Sequence, residues 1–310
     1  MVSTEFRRLE FRQLRIAVLG AKGQLGMTLV PLLLDKKYEV RAYSSTQLDI
    51  RSYERLSKEL KEFLPDVIIN CAAYTKVEEA ESSQTLAYEV NVLGSRNIAV
   101  AARAMSCILV HISTDYVFSG FSSKPWHEGD ETSPVNYYGK TKLLGELEIL
   151  ENHPSKSFII RTSWLYSVFG RNFVRKISEL VLYPGPKPIK VVNDQVGQPT
   201  SCIDLSMRLV EILSKKICFG VYHITNSGQT TWYELAKAIS DSAGNESIKI
   251  FPIRSETFHS VVQRPKFSVL DNSKMLNAGL TPMPNWRTSL ENELPKIFQL
   301  NHKGNDLIGN

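Results

Sequence analysis

The chain has 310 residues, 43% hydrophobic and 22% charged, the balance of an ordinary globular protein. Its 37 basic and 32 acidic residues leave a net charge of +5 without a long basic run, which argues against a nucleic-acid surface. No apolar run is long enough to span a bilayer, and Cys71, Cys107, Cys202 and Cys218 show neither metal-ligand spacing nor a dense disulfide pattern. The expected setting is a reducing cytoplasm with no membrane, nucleic acid or thiolate-bound metal. Arg7, Arg8, Arg12 and Arg15 open the chain without an apolar stretch and cleavage site behind them, so a mildly basic tail is expected rather than a signal peptide.

In chain order, short apolar runs at 15–19, 39–44, 66–70, 108–112 and 158–160 read as strands, most of them buried and parallel. Between them the spacing predicts helices, including 51–64 (with Leu56, Leu60 and Phe63 on one face) and an alanine-rich helix over 88–105. Pro31 falls inside the helix expected after the first glycine turn and should kink or shorten it. Strands alternating with helices define an α/β fold, a Rossmann-like doubly wound parallel sheet. The second half is less regular. Breakers at 184–188 precede a strand at 189–192, a helix follows over 204–215, and another strand at 220–225. Thr231 is the expected N-cap of a helix starting at Trp232, with Glu234 completing a capping box, and the end from His302 onward should fray.

Gly20-Ala-Lys-Gly23-Gln-Leu-Gly26 follows the first strand and opens a helix. Glycines there allow a tight turn and bring backbone N–H groups close to a pyrophosphate. The second strand ends without an acidic residue for a ribose 2′-hydroxyl, and Arg41, Ser44 and Ser45 tolerate a 2′-phosphate, so the pattern leans towards NADPH with NADH still possible. Asp49, close by, either caps a turn or meets the adenine. Tyr138 and Lys142 stand four apart, on one face of a helix. An ammonium beside a phenol favours the phenolate and brings a group that titrates near ~10 towards acid–base use. Thr114 follows the strand at 108–112, and the loop from Cys71 to Thr75 follows another, so both should meet Tyr138 in one crevice. His111 reads as a core strand residue, and Asp130 and Glu131 as solvated loop acids.

With these blocks, His-Ile-Ser-Thr-Asp-Tyr-Val-Phe at 111–118, Tyr-Gly-Lys-Thr-Lys at 138–142, Arg-Thr-Ser-Trp at 161–164, Asp-Gln-Val-Gly-Gln-Pro-Thr at 194–200 and Arg-Pro at 264–265, the sequence resembles the extended short-chain dehydrogenase/reductases. Within them it is similar to the dTDP-4-dehydrorhamnose reductase family, from about Ile16 to about Leu294. The resemblance implies NADPH-dependent reduction of the C4 ketone of dTDP-4-dehydro-β-L-rhamnose. Tyr138 would be the proton donor, Lys142 its pKa-lowering partner and ribose ligand, and Thr114 the hydroxyl that orients the ketone. Gly20, Gly23 and Gly26 would hold the pyrophosphate, with Gln24 and Leu25 in the same turn. Ala72, Ala73 and Tyr74 would line the ribose side, and Asp49 and Ile50 complete the cofactor set. Asp115, Tyr116 and Trp164 would line the deoxysugar pocket, and Arg264 would meet the diphosphate. The implied organisation is a dinucleotide-binding domain over 15–165, to which 200–226 returns. A smaller, discontinuous C-terminal sugar-nucleotide domain would span 166–199 and 227–300, between tails at 1–14 and 301–310.

One departure bears on metal. Some members of the family bind Mg²⁺ at a dimer interface through a glutamate just after the glycine turn, and here that position is Thr28. A hydroxyl is a poor substitute for a carboxylate on a hard cation, so no structural Mg²⁺ is expected, in a monomer or a homodimer. Two rivals share the fold. A sugar-nucleotide 4,6-dehydratase needs a carboxylate after Asp115, where Tyr116 stands. A regulatory subunit similar to the β subunit of methionine adenosyltransferase would keep the fold without the turnover.

Overall fold

Six strands pair side by side in a computed structural model that describes residues 13–244, 248–257 and 262–306. They are β1 (Arg15–Leu19), β2 (Glu39–Tyr43), β3 (Val67–Asn70), β4 (Ile108–Thr114), β5 (Ser157–Thr162) and β6 (Gly220–His223). Every pairing is parallel, in the order β6-β5-β4-β3-β1-β2. Successive residues of a strand point to opposite faces, and each face is apolar here. On one face Ile16, Val18, Ile69 and Val110 pack against Leu29 and Leu33 of helix α1 (Gln24–Asp35). On the other, Ala17, Leu19, Ile68 and Leu109 meet Leu56 and Leu60 of α2 (Tyr53–Phe63) and Ile98 of α3 (Gly94–Met105). Each fully buried Leu or Ile contributes about 1.5–3 kcal/mol, which is why continuous apolar runs settle here rather than at an edge.

Helix α4 (Tyr137–Asn152) connects β4 to β5, and α6 (Cys202–Ser214) joins α1 on the first face. A separate apolar cluster is built by α5 (Phe173–Leu182), α7 (Trp232–Ser242) and α8 (Trp286–Asp306). Leu290, Leu294 and Ile297 of α8 form its seam with Val174, Ile177 and Val181 of α5. A parallel pair, Ile189–Val192 with Ile250–Ile253, lies beside that cluster. Thr231 caps α7 as expected, its Oγ1 accepting from the Glu234 amide at 3.1 Å.

Three expectations are corrected. Pro31 does not shorten α1, which continues to Asp35; the proline stands on the exposed side, where the loss of one helical N–H bond is tolerated. The single helix expected over 88–105 is interrupted by a π turn at Glu89–Leu93. There the Asn91 carbonyl faces α4 so closely that a Cβ on Gly145 would lie 2.3 Å from it. The fraying expected from His302 gives way to helix through Asp306, since α8 is anchored by its seam. Arg7, Arg8 and Arg12 of the expected basic tail lie outside the described residues, as does the chain after 306.

One buried carboxyl makes folding pH-dependent. Glu293 of α8 is 6% exposed, and burial, with Asp204 nearby, pushes it from 4.5 up to about 7. An acid whose folded pKa is raised costs stability as pH rises from its unfolded value through the folded one. Glu293→Gln is therefore expected to gain stability over wild type, progressively from pH 4.5 to about 7, by on the order of 3 kcal/mol at the upper end. Urea unfolding midpoints at pH 5 and pH 8 check this; equal differences at both would contradict it.

Candidate active site

The strand order places a switch point between β1 and β3, where chain leaving the two C-terminal ends diverges and ligands gather. Gly20 ends β1 with φ +77°, a conformation that L side chains rarely adopt, and a Cβ there would lie 2.6 Å from the Ala72 amide nitrogen. A Cβ on Gly26 would lie 2.5 Å from the Gly20 carbonyl oxygen. The turn is thus folded flat against the start of α1 and the loop after β3, leaving a backbone cradle at the N-terminus of a helix. Such a cradle fits a dinucleotide pyrophosphate. Gly23 stands at the N-cap of α1 and Leu25 is buried beneath it. Gln24 Nε2 donates to the Leu165 carbonyl at 3.2 Å.

The loop after β3 is held by side chains that periodicity does not reveal. Asn70 Oδ1 accepts from the Ala72 amide at 3.0 Å, and Asn91 Oδ1 accepts from the Tyr74 amide at 2.8 Å. Asn91 Nδ2 also donates to Thr141 Oγ1 at 3.0 Å, which ties this loop to α4. The π turn that carries Asn91 is the kind of helix irregularity that often marks a functional site. Arg51 holds Asp49 through several hydrogen bonds and keeps its carboxyl below the usual range. Ile50 is buried against Gly94.

Thr114, Asp115, Tyr116 and Tyr138 come together at the end of β4. Asn136 caps α4 by accepting from the Gly139 amide at 2.8 Å. A Cβ on Gly139 would lie 2.2 Å from the Tyr116 carbonyl oxygen, so the glycine beside Tyr138 lets the helix start meet the strand end. The Tyr116 and Tyr138 rings meet edge-on, with centroids 5.7 Å apart. Thr114 Oγ1 donates to Asp115 Oδ1 at 3.0 Å, and burial pushes the Asp115 carboxyl up to about 7. Burial also pushes the Tyr138 phenol well above its usual value, opposed by the Thr114 side chain. Lys142 turns to β4. Its Nζ donates to the Ile112 carbonyl at 2.7 Å and lies 3.4 Å from His111 Nε2, and burial draws it down to about 8.

Trp164 packs against the apolar cluster built by α5, α7 and α8. Trp164 has φ +45° and stacks on Trp232 with centroids 3.5 Å apart. Arg264 forms an ion pair with Glu78 and offsets the burial that raises Tyr116. Arg264 also borders a cavity of about 820 Å³ whose walls include Phe173, Lys187, Lys190, Trp232 and Lys266. Lys187 and Lys190 come from the segment read in sequence as a breaker cluster and strand, where no periodic signal marks a ligand wall.

A parallel switch-point cradle with a tyrosine, a buried lysine and a threonine hydroxyl at the next strand end defines an oxidoreductase of the Rossmann type. A family profile described as the RmlD substrate binding domain matches residues 14–298. A dTDP-4-dehydrorhamnose reductase of Streptomyces griseus is 40% identical over 287 residues, covering 91% of this chain and 94% of its own. A dTDP-4-keto-6-deoxy-D-glucose reductase of Streptomyces niveus is 38% identical over 283 residues, 91% and 97% of the two chains. Among solved structures, a dTDP-4-dehydrorhamnose reductase of Bacillus anthracis in complex with NADP superposes with a TM-score of 0.88 at 36% identity, over 92% of this chain and 100% of that one. The chain belongs to the dTDP-4-dehydrorhamnose reductase family.

Proposed function

We propose that the protein reduces the C4 ketone of dTDP-4-dehydro-β-L-rhamnose to dTDP-L-rhamnose with NADPH. The observation that carries this reading is the gathering of Thr114 and Tyr138 at the end of β4, on the sheet whose β1 end carries the glycine cradle, in a family whose named relatives are dTDP-sugar reductases. NADPH, when bound across the β1–β3 switch point, supplies the hydride for C4. Thr114, turning its hydroxyl from Asp115 to the substrate, and Tyr138 hold the ketone oxygen between two donors, and Tyr138 gives its proton to that oxygen as charge develops there. Burial keeps the phenol protonated, which is the form an acid needs in the reducing direction. Lys142, as its ammonium, stabilises the phenolate that remains and meets the nicotinamide ribose.

We assign the cavity of about 820 Å³ to the thymidine diphosphate. Trp232 and Phe173 offer faces for the base, and Lys187, Lys190 and Arg264 offer charge for the phosphates. On this reading residues 166–199 and 227–300 form the sugar-nucleotide part, and Arg264 exchanges Glu78 for the diphosphate. We expect no structural metal at the position after the glycine turn: Thr28 offers a hydroxyl in place of a carboxylate, and that hydroxyl donates to the Gln24 carbonyl at 2.9 Å. Free thiols at all four cysteines suit the cytoplasm. Among the described residues no helix is long and apolar enough to cross a membrane.

The relative that acts on dTDP-4-keto-6-deoxy-D-glucose favours a second substrate, a different 4-keto sugar reduced by the same residues. Initial rates of NADPH oxidation with the two dTDP-4-keto sugars, and with NADH in place of NADPH, decide between them. Faster turnover of the rhamnose precursor with NADPH is the expected result; no turnover of either sugar would overturn the assignment in favour of a non-catalytic role.

A further inference from the structure

His111, a core strand residue as expected, stands beside the buried Lys142, and its proton can be placed. The Ala72 amide can only donate, and its acceptor is Asn70 Oδ1 at 3.0 Å. That fixes the Asn70 carboxamide and turns its Nδ2 donor to His111 Nδ1, 3.0 Å away. Nδ1 must therefore accept. All three side chains, Asn70, His111 and Lys142, are at most 2% exposed, so water does not offer an alternative. Burial, with Lys142 second, holds the His111 imidazole well below its usual value and hence neutral. A neutral ring that accepts at Nδ1 carries its proton on Nε2, and Nε2 is the atom 3.4 Å from Lys142 Nζ.

An N–H that points at an ammonium meets another donor. Pointed at an amine, it meets a lone pair, while the amine's own N–H still reaches the Ile112 carbonyl at 2.7 Å. We propose that His111 is a positioning residue whose Nε2–H, oriented through Ala72 and Asn70, holds Lys142 in place and favours its uncharged amine until a ligand brings acceptors to it. The other groups that face Lys142 are Cys71 from the loop after β3 and Glu146 from its own helix, and both favour the ammonium. Glu146 is itself held by Arg161 and Ser113, which leaves less of its charge to act on Lys142. Burial works in the same direction as His111. On the reading in which Lys142 meets the nicotinamide ribose, hydroxyl oxygens and phosphate charge then draw a proton onto it, so cofactor binding and proton uptake are coupled.

Two measurements test this. In ligand-free protein labelled with ¹⁵N in its six histidines, the His111 ring, identified by its loss in His111→Phe, should show a bare Nδ1 and a protonated Nε2. The opposite tautomer overturns the proposal. Calorimetric titration with NADPH in buffers of different ionisation enthalpy should then show proton uptake by wild type on the basic side of neutrality. In His111→Phe the pH of half-maximal uptake should rise by about one unit, the size expected when one interaction specific to one protonation state is lost. An unchanged uptake profile overturns the proposal. Should His111→Phe fail to fold, Asn70→Asp serves, because its carboxylate still accepts from Ala72 but takes the imidazole proton onto Nδ1. Its uptake should also move to higher pH, and a flipped tautomer with an unmoved profile overturns the proposal. If wild type binds no NADPH at all, the cofactor reading fails, while the tautomer still decides the geometry around His111.

Discussion

Tyr138→Phe is expected to lower kcat by about 10²- to 10⁴-fold, the range for loss of a general acid, with little change in NADPH affinity. The variant removes one oxygen. The ring keeps its edge-on contact with Tyr116, and Gly139 and the Asn136 cap still set the start of α4. What is lost is the proton that the ketone oxygen takes as it becomes an alkoxide. Thr114 remains as a hydrogen-bond donor, so residual activity above the uncatalysed level is expected. Because burial raises the phenol, the donating form persists across the neutral range, and wild-type kcat should not fall on the basic side through Tyr138 ionisation below pH 9. Steady-state rates of wild type and variant across pH 6–9, with NADPH binding followed by fluorescence, check both statements. A variant retaining more than about a tenth of wild-type kcat would remove Tyr138 from the proton-donor role.

Arg161→Met is expected to be the most destabilising single change near the site, by about 3–5 kcal/mol. Arg161 of β5 grips Glu146 of α4 with Nε at 3.0 and 3.2 Å and Nη2 at 2.7 Å, and the two side chains are only 6% and 2% exposed. Ser113 of β4 donates to the same carboxylate. Removing the guanidinium leaves a carboxylate buried on the helix that carries Tyr138 and Lys142, with one hydroxyl bonded to it and only the desolvated Lys142 as a nearby charge. Replacing both partners, as Arg161→Met with Glu146→Leu, should recover most of the loss, because no uncompensated charge then remains. Urea unfolding of the three variants checks this. A double variant as unstable as Arg161→Met would show that packing, rather than the stranded charge, sets the cost.

Much of the fold was legible because its strands are buried on both faces. Ile16 to Leu19, Val67 to Ile69 and Leu109 to Val110 are continuous apolar runs, and only a covered parallel sheet uses them that way. Tyr138 and Lys142 were legible from one helical turn, and Gly20 from its place directly after a strand. What the sequence did not disclose depends on register and on distant chain. Asn70 and His111 are opposite one another only because β3 pairs with β4 in that register, so the orientation of Lys142 belongs to the sheet rather than to its own helix. Spacing puts Lys142 one turn from Tyr138 but does not reveal that its Nζ reaches the Ile112 carbonyl of β4. The bond from Arg51 to Asp49, two residues apart, carries no periodic signal either. The π turn at Asn91 follows from close approach to Gly145, which no local periodicity encodes.

The central claim is that hydride reaches C4 of a dTDP-4-keto sugar on this chain. The most direct test is incubation of purified protein with dTDP-4-dehydro-β-L-rhamnose and NADPH deuterated at the transferable position, followed by NMR of the nucleotide product. The expected product is dTDP-L-rhamnose with deuterium bound to C4, formed about 10²- to 10⁴-fold more slowly by Tyr138→Phe. Unreduced sugar in the presence of bound NADPH, or a product without deuterium at C4, would contradict it.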